Sequence, residues 1–223
     1  MKYRALPLFG CVLVTFGACA TERHRTVETH EVESAQQPYT GPRHPLAIGK
    51  FKNTSTYLTG VFASDTDQLG SQARTILKTH LSQTNRFQLA DRDNMAEIGR
   101  EAQMSGEAQA LVGARYVVTG EVTEFGRKET GDKQVFGIVG RGKTQAAYAK
   151  VSLNVVDVKT SLVIFSTQGA GEYSLSNREV LGTGSSAAYD STLNGKVLDF
   201  AMVDAVNKLV RGLESGAWSA GGS

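Results

Sequence analysis

The stretch Ala149-Lys-Val-Ser-Leu-Asn-Val-Val-Asp-Val158 decides the fold. Val151, Leu153 and Val155 alternate with Lys150, Ser152 and Asn154, the period-two pattern of a strand with one face in a core and the other in water. Upstream, Ala114-Arg-Tyr-Val-Val-Thr-Gly-Glu-Val122 reads as a second strand. Downstream, Leu162 to Ser166 returns after the polar turn Lys159-Thr160-Ser161. Leu46 to Phe51 and Phe87 to Ala90 add two short strand patterns. Between them the period lengthens: Leu69, Ala73, Ile76, Leu77 and Leu81 share one helical face, behind Asp65 and Asp67, whose charge suits a helix N-terminus. Asp91 and Asp93 read as capping residues of a second helix with the stripe Met95, Ile98 and Ala102, followed by a helical turn from Gly106 to Gly113. The last helix runs from about Lys196 to Leu213, with Leu198, Ala201, Ala205 and Leu209 as its core face. The body is therefore α+β, with helices packed on a small sheet.

Two segments are left over, Phe125 to Tyr148 and Gln168 to Tyr189. Both are Gly-rich, too polar for a core, and placed between or beside core strands. In the second, Gly169, Gly171, Tyr173 and Leu175 alternate with Ala170, Glu172, Ser174 and Ser176, and Asn177-Arg178 can turn the chain back. The pattern predicts two long hairpins, at about 125–148 and 168–189, projecting from a body that spans 46–223. Their apolar residues are Phe136, Ile138, Tyr148, Tyr173, Leu175 and Leu181.

The opening of the chain is an address. Lys2 and Arg4 precede an apolar run from Ala5 to Phe16, which ends in Gly17-Ala18-Cys19. That is the three-part plan of a secretory signal, and the run is shorter than the ~20 apolar residues of a spanning helix. Small residues before a cysteine point to a lipoprotein signal over 1–18 and acylation of Cys19. The alternative is a plain signal peptide cut near Ala20. Ala20 after the lipid cysteine suggests sorting to the outer membrane, with the body in the periplasm. Residues 19–45, polar and ending in Pro38, Gly41, Pro42 and Pro45, read as an extended tether.

Composition excludes several functions. The formal charge of +2 comes from Lys2 and Arg4, and without them 22 basic residues face 22 acidic ones. Nucleic acid is thus not an expected partner. Both cysteines, Cys11 and Cys19, lie in the signal region, and three of four histidines (His24, His30, His44) fall in the polar segment, leaving His80 alone in folded territory. We expect no metal, no cofactor and no enzymatic activity. Gly137 to Thr144 does match GxxxxGK[ST], but a phosphate loop needs a buried strand before it and a helix after it. Here Glu129 to Gln134 is polar, and Gln145 to Val155 alternates like a strand, so nucleotide binding is only a remote alternative.

The order of four stretches resembles the CsgG/HfaB family. These are Phe51-Lys-Asn-Thr-Ser55, Phe87-Gln-Leu-Ala-Asp-Arg-Asp-Asn94, Leu111 to Phe125, and Tyr189-Asp-Ser-Thr-Leu-Asn-Gly-Lys-Val-Leu198. The resemblance covers about Pro45 to Leu213. It implies a periplasmic α+β domain whose two hairpins assemble into an outer-membrane β-barrel, about four strands from each of about nine subunits and 36 in all. It further implies an ATP-independent channel for unfolded protein subunits, such as curli-type fibre or surface-anchor components, working with periplasmic accessory proteins. In such a pore the loop after the first strand lines a constriction. By position this is Asn53 to Ser64, with Tyr57, Phe62 and Asn53 as candidates, and burial against the body as the other reading of the two aromatics. The hairpin residues named above would then face lipid. The hairpins are short for membrane strands, so a non-pore periplasmic adaptor or holdfast-type anchor is the alternative function.

Overall fold

The chain follows the order β1 (His44–Asn53), α1 (Gln68–Gln83), β2 (Phe87–Ala90), α2 (Met95–Ser105), β3 (Tyr116–Gly131), β4 (Gly142–Asp157), β5 (Val163–Arg178) and α3 (Leu193–Glu214), with a 3-10 turn (Glu33–Gln36) before them. The computed structural model describes residues 29–57, 67–131, 142–178 and 193–218. The five strands make one mixed sheet in the order β2-β1-β3-β4-β5. β1 runs parallel to both β2 and β3, and each of those connections carries a helix, as a parallel crossover requires. β3, β4 and β5 are an antiparallel meander with Leu153 paired to Gly120 and Thr167. The α+β expectation is met.

The core lies between the sheet and a layer made of α1 and α3. Leu69, Ala73, Leu77 and Leu81 of α1 are buried, as their spacing requires, together with Val197, Leu198, Ala201, Met202, Ala205, Val206, Leu209 and Val210 of α3. The alternation that reads as a strand in sequence supplies the floor: Val151, Leu153 and Val155 of β4 and Val118 and Val122 of β3 are all fully buried. The N-terminus of α1 is closed by Asp67, whose carboxylate accepts from the Gly70 N–H (2.8 Å) and from the Asn53 N–H (2.8 Å), tying the end of β1 to the start of the helix.

Four sequence expectations need correcting. The strands and hairpins are not separate units: Phe125 to Gly131 and Gly142 to Tyr148 are the outer halves of β3 and β4. The first arm of the second hairpin is part of β5, which pairs with β4 from Val163 to Arg178; residues 179–192 lie outside the described residues. The tether is shorter than 19–45, because residues 29–45 lie on the body. Val32 is buried, the Glu33 N–H donates to Asn207 on α3 (3.0 Å), and His30 packs on Phe200 with ring centroids 4.2 Å apart. Arg86 holds the rest. Its buried guanidinium donates to the carbonyls of Ser34 (2.9 Å) and Thr84 (2.7 Å) and to Glu214 (2.8 Å), with the Tyr39 ring 4.7 Å away. A few scattered contacts, with strand pairing at His44 and Pro45, dock a segment whose composition reads as free.

The third correction concerns α2, whose stripe does not enter the core: Met95 and Ala102 are half-buried, Ile98 is exposed, and no residue of this helix is fully buried among the described residues. Nor do the two aspartates cap it: the N-cap is Asn94, without a side-chain cap bond, while Asp93 pairs with Arg74 and Asp91 accepts from the Asp93 N–H, the Asn94 side-chain amide and Lys78. The bonds to Asp91, led by that from Lys78, bring its pKa down to about 2. The fourth concerns the helical turn expected after α2. Gly106 takes a left-handed conformation (φ 73°) and closes the helix, and residues 107–113 form no regular element.

Candidate assembly surface

β1 ends at Asn53, opposite Val122, and the N–H groups of Thr54 and Ser55 both donate to the Val122 carbonyl. Beyond that point β3, β4 and β5 continue without β1 as a three-stranded extension, paired out to Gly131 with Lys143 and Gly142 with Arg178. Among the described residues, no strand pairs with the outer edge of β3 from 123 to 131. The extension is about nine residues long on β3 and β4 (123–131 and 142–150), at the short end of the ~9–11 residues of a tilted membrane strand. No helix among the described residues is long and apolar enough to cross a membrane.

Register sorts the side chains, because directly paired residues share a face. Phe125, Ala149 and Gly171 lie together, as do Arg127, Ala147 and Tyr173, on the helix side of the sheet. Gly126, Tyr148 and Glu172 lie on the other side, with Lys128, Ala146 and Ser174 beyond them and the Glu124–Lys150 ion pair (2.6 Å) before them. Tyr148 and Tyr173, both expected to face lipid, are therefore on opposite faces. Tyr148 is 42% exposed and its ring lies across Gly126, where a Cβ would come within 2.6 Å of the phenol oxygen. Tyr173 instead stacks on Phe200 of α3 (ring centroids 6.2 Å, 14° between planes), with Lys196 5.2 Å from its ring. In this structure Tyr173 is a helix–sheet packing residue.

The glycines beside it have the same explanation. A Cβ on Gly169 would fall on the Ala201 carbonyl and the Ala205 amide. One on Gly171 would sit 2.6 Å from the Val197 carbonyl. Both glycines let the α3 backbone lie directly on β5. Their alternation, read in sequence as a membrane strand, records a helix–strand contact.

The constriction candidates separate likewise. The Asn53 side chain donates to the Tyr57 carbonyl (2.9 Å) and accepts from the Ser55 N–H (3.0 Å) and hydroxyl (2.6 Å). It shapes the start of the loop. Tyr57 is half-buried and packs on Phe125, ring centroids 4.7 Å apart. Phe62, Phe136, Ile138, Leu181 and Cys19 lie outside the described residues, and Leu175 is placed only by its pairing with Gln145. In the phosphate-loop match, Gly142 to Thr144 open β4, so the element after the lysine is a strand where a helix is required. Asp157, at the end of β4, accepts from the N–H and hydroxyl of Thr160 (2.8 and 2.9 Å), which lower its pKa. The nucleotide alternative thus lacks the helix that the motif requires, while Gly137 to Arg141 lie outside the described residues.

Sequence reasoning missed three groups. Trp218 follows a left-handed Gly216 (φ 76°), is buried near Phe87, Tyr116 and Phe165, and donates its indole N–H to the Leu209 carbonyl (3.1 Å). Arg86 is the buried clamp described above. His80, a lone histidine in sequence, is buried on α1 with Nε2 2.7 Å from Asp199 of α3 and Nδ1 3.0 Å from Gln83. Burial opposes its charged form, but the hydrogen bonds and charge of these partners outweigh it and raise the pKa. The only signal for the last two was polarity at helix-face or strand-edge positions, which pattern alone assigns to solvent.

Comparison with known proteins adds the following. The model of the family described as curli production assembly/transport component CsgG matches residues 27–222. A protein of Neisseria meningitidis serogroup B named "Putative lipoprotein NMB1126/NMB1164" is 54% identical over 205 residues, 92% of each chain. Among solved structures, a PelC dodecamer from Paraburkholderia phytofirmans is 16% identical, covering 79% of this chain and 92% of that one with a TM-score of 0.34. Lipoprotein GNA1162 from Neisseria meningitidis is 13% identical, covering 75% and 99% with a TM-score of 0.37.

Proposed function

Because this chain belongs to the family of the curli production assembly/transport component CsgG, we propose that it is a lipid-anchored subunit of a ring-shaped outer-membrane assembly whose strand extensions close into a β-barrel. The barrel passes unfolded protein subunits without catalysis or nucleotide. Cys19 carries the lipid, in keeping with the lipoprotein name of the Neisseria relative. One observation carries the reading: β3, β4 and β5 outrun β1 and leave β3 with an edge that no strand covers among the described residues. Exposed strand edges are an aggregation liability in a monomer, and barrel closure removes them.

A second reading is a non-pore periplasmic adaptor or anchor. It is favoured by the placement of Tyr148 and Tyr173 on opposite faces, which leaves the extension without a purely apolar side. Electron microscopy of detergent-extracted protein, with planar-bilayer recording, separates the two. Rings with discrete conductance are expected. Protein that stays monomeric and electrically silent retires the channel in favour of the adaptor.

A further inference from the structure

α3 is held to the sheet by close packing along its middle and to α1 by a charged contact near its N-terminal third. That contact is the His80–Asp199 pair. His80 has 3% of its surface exposed, and both ring nitrogens meet oxygen acceptors: Asp199 Oδ1 at 2.7 Å and Gln83 Oε1 at 3.0 Å. Two acceptors suit an imidazolium, which donates from both nitrogens. A neutral ring donates from one nitrogen only, so Gln83 must then turn its amide to present N–H. The charged group facing the ring is Asp199 on α3. On α1 itself Gln83 is neutral, and Lys78 is committed to Asp91. The sheet below contributes apolar core residues such as Leu46 and Val118. The N-terminal segment brings His30 against Phe200, the residue after Asp199.

We propose that His80 and Asp199 form a pH-sensitive clasp that holds the N-terminal third of α3 down on β5 when His80 is protonated and loosens it when the proton leaves. The lever is short. Asp199 is followed by Phe200, which stacks on Tyr173, and it lies between the Val197 carbonyl and the Ala201 amide that cover Gly171. What moves at the clasp therefore moves the cover over the strand extension. The sign follows from linkage. A histidine whose folded pKa lies above its unfolded value contributes stability that is complete below the unfolded pKa of about 6.5 and is lost as pH rises through the folded pKa. The raised His80 pKa agrees with that direction. The clasp stands on the monomer's geometry, and it can hold whether or not the chain assembles into a pore.

The test uses the purified full chain in detergent. Imidazole NMR titration of the wild type should give His80 a pKa above 6.5, and Asp199→Asn should lower it. Hydrogen exchange, corrected for intrinsic rate, should show amides 195–203 opening at least threefold more at pH 8.0 than at pH 5.5, relative to amides 206–213. His80→Gln, which retains a donor for Asp199, should abolish that ratio. A wild-type His80 titrating at or below 6.5, or an exchange ratio unchanged with pH, overturns the clasp. Both wild-type readouts stand even if a variant fails to fold.

Discussion

The lower and outer halves of β3, β4 and β5 are the same strands in two environments. Below Val122, each inward side chain meets a helix: Val118, Val151, Leu153 and Val155 are fully buried, and Trp218 closes that end by packing near Phe87, Tyr116 and Phe165. Above it, α3 packs on the inward side at Gly171 and Tyr173, and the opposite side carries Glu124, Lys150, Tyr148 and Glu172. The lower half is a closed core. The outer half is long and paired, and among the described residues no strand covers its β3 edge, the kind of edge that a further strand can complete.

The largest effect should come from the closed end. Trp218→Ala removes the side chain shared by those aromatics and the hydrogen bond to Leu209, and large aromatic truncations in cores cost about 3–5 kcal/mol. Urea denaturation should show a loss of that size. A loss below about 1 kcal/mol would mean that the lower half does not depend on its C-terminal plug.

Next comes the boundary between the halves. Gly169→Val forces a side chain into the α3 backbone at Ala201 and Ala205, and overpacking of this kind costs about 1–3 kcal/mol or more. Ala170→Val, one residue on and facing away from the helix, should change stability by less than about 0.5 kcal/mol. Equal effects at 169 and 170 would show that α3 does not press on β5, and the contrast between the halves would lose its cause.

How much of this was legible follows from what each residue contacts. Elements that bury one face against a neighbour announced themselves: α1 through Leu69, Ala73, Leu77 and Leu81, β4 through Val151, Leu153 and Val155, and α3 through Leu198, Ala201, Ala205 and Leu209. Periodicity reports amphipathicity and is silent about the partner. So α2 was found as a helix, but that its stripe stays out of the core was not foreseen. The same limit explains Gly169 and Gly171, whose spacing fits a membrane strand and a helix notch equally well. Docking of 29–45 was illegible for another reason. It rests on single long-range contacts, Arg86 to Ser34 and Glu33 to Asn207, which leave no local pattern.

The smallest expected change in folding is also the one that bears most on the outer half. Tyr148 covers Gly126 across the strand pair, and such a cross-strand contact contributes roughly 0.2–1 kcal/mol. Tyr148→Arg should therefore leave the body folded, with a denaturation midpoint close to wild type. Its face is shared with Glu172 and Ser174 and lies near the Glu124–Lys150 pair, a set that belongs with water in any barrel these strands form. An arginine on a water-filled lumen costs little, whereas one near the bilayer midplane on the lipid side costs ~2–4 kcal/mol. The variant should accordingly still assemble in membranes and change single-channel conductance. Tyr173→Arg would not serve this purpose, because it also breaks the stacking on Phe200 and the loss would be read in the body first. If Tyr148→Arg folds normally yet no longer inserts, Tyr148 meets lipid, the two faces exchange roles, and α3 must stand on the lumen side of the strands it covers.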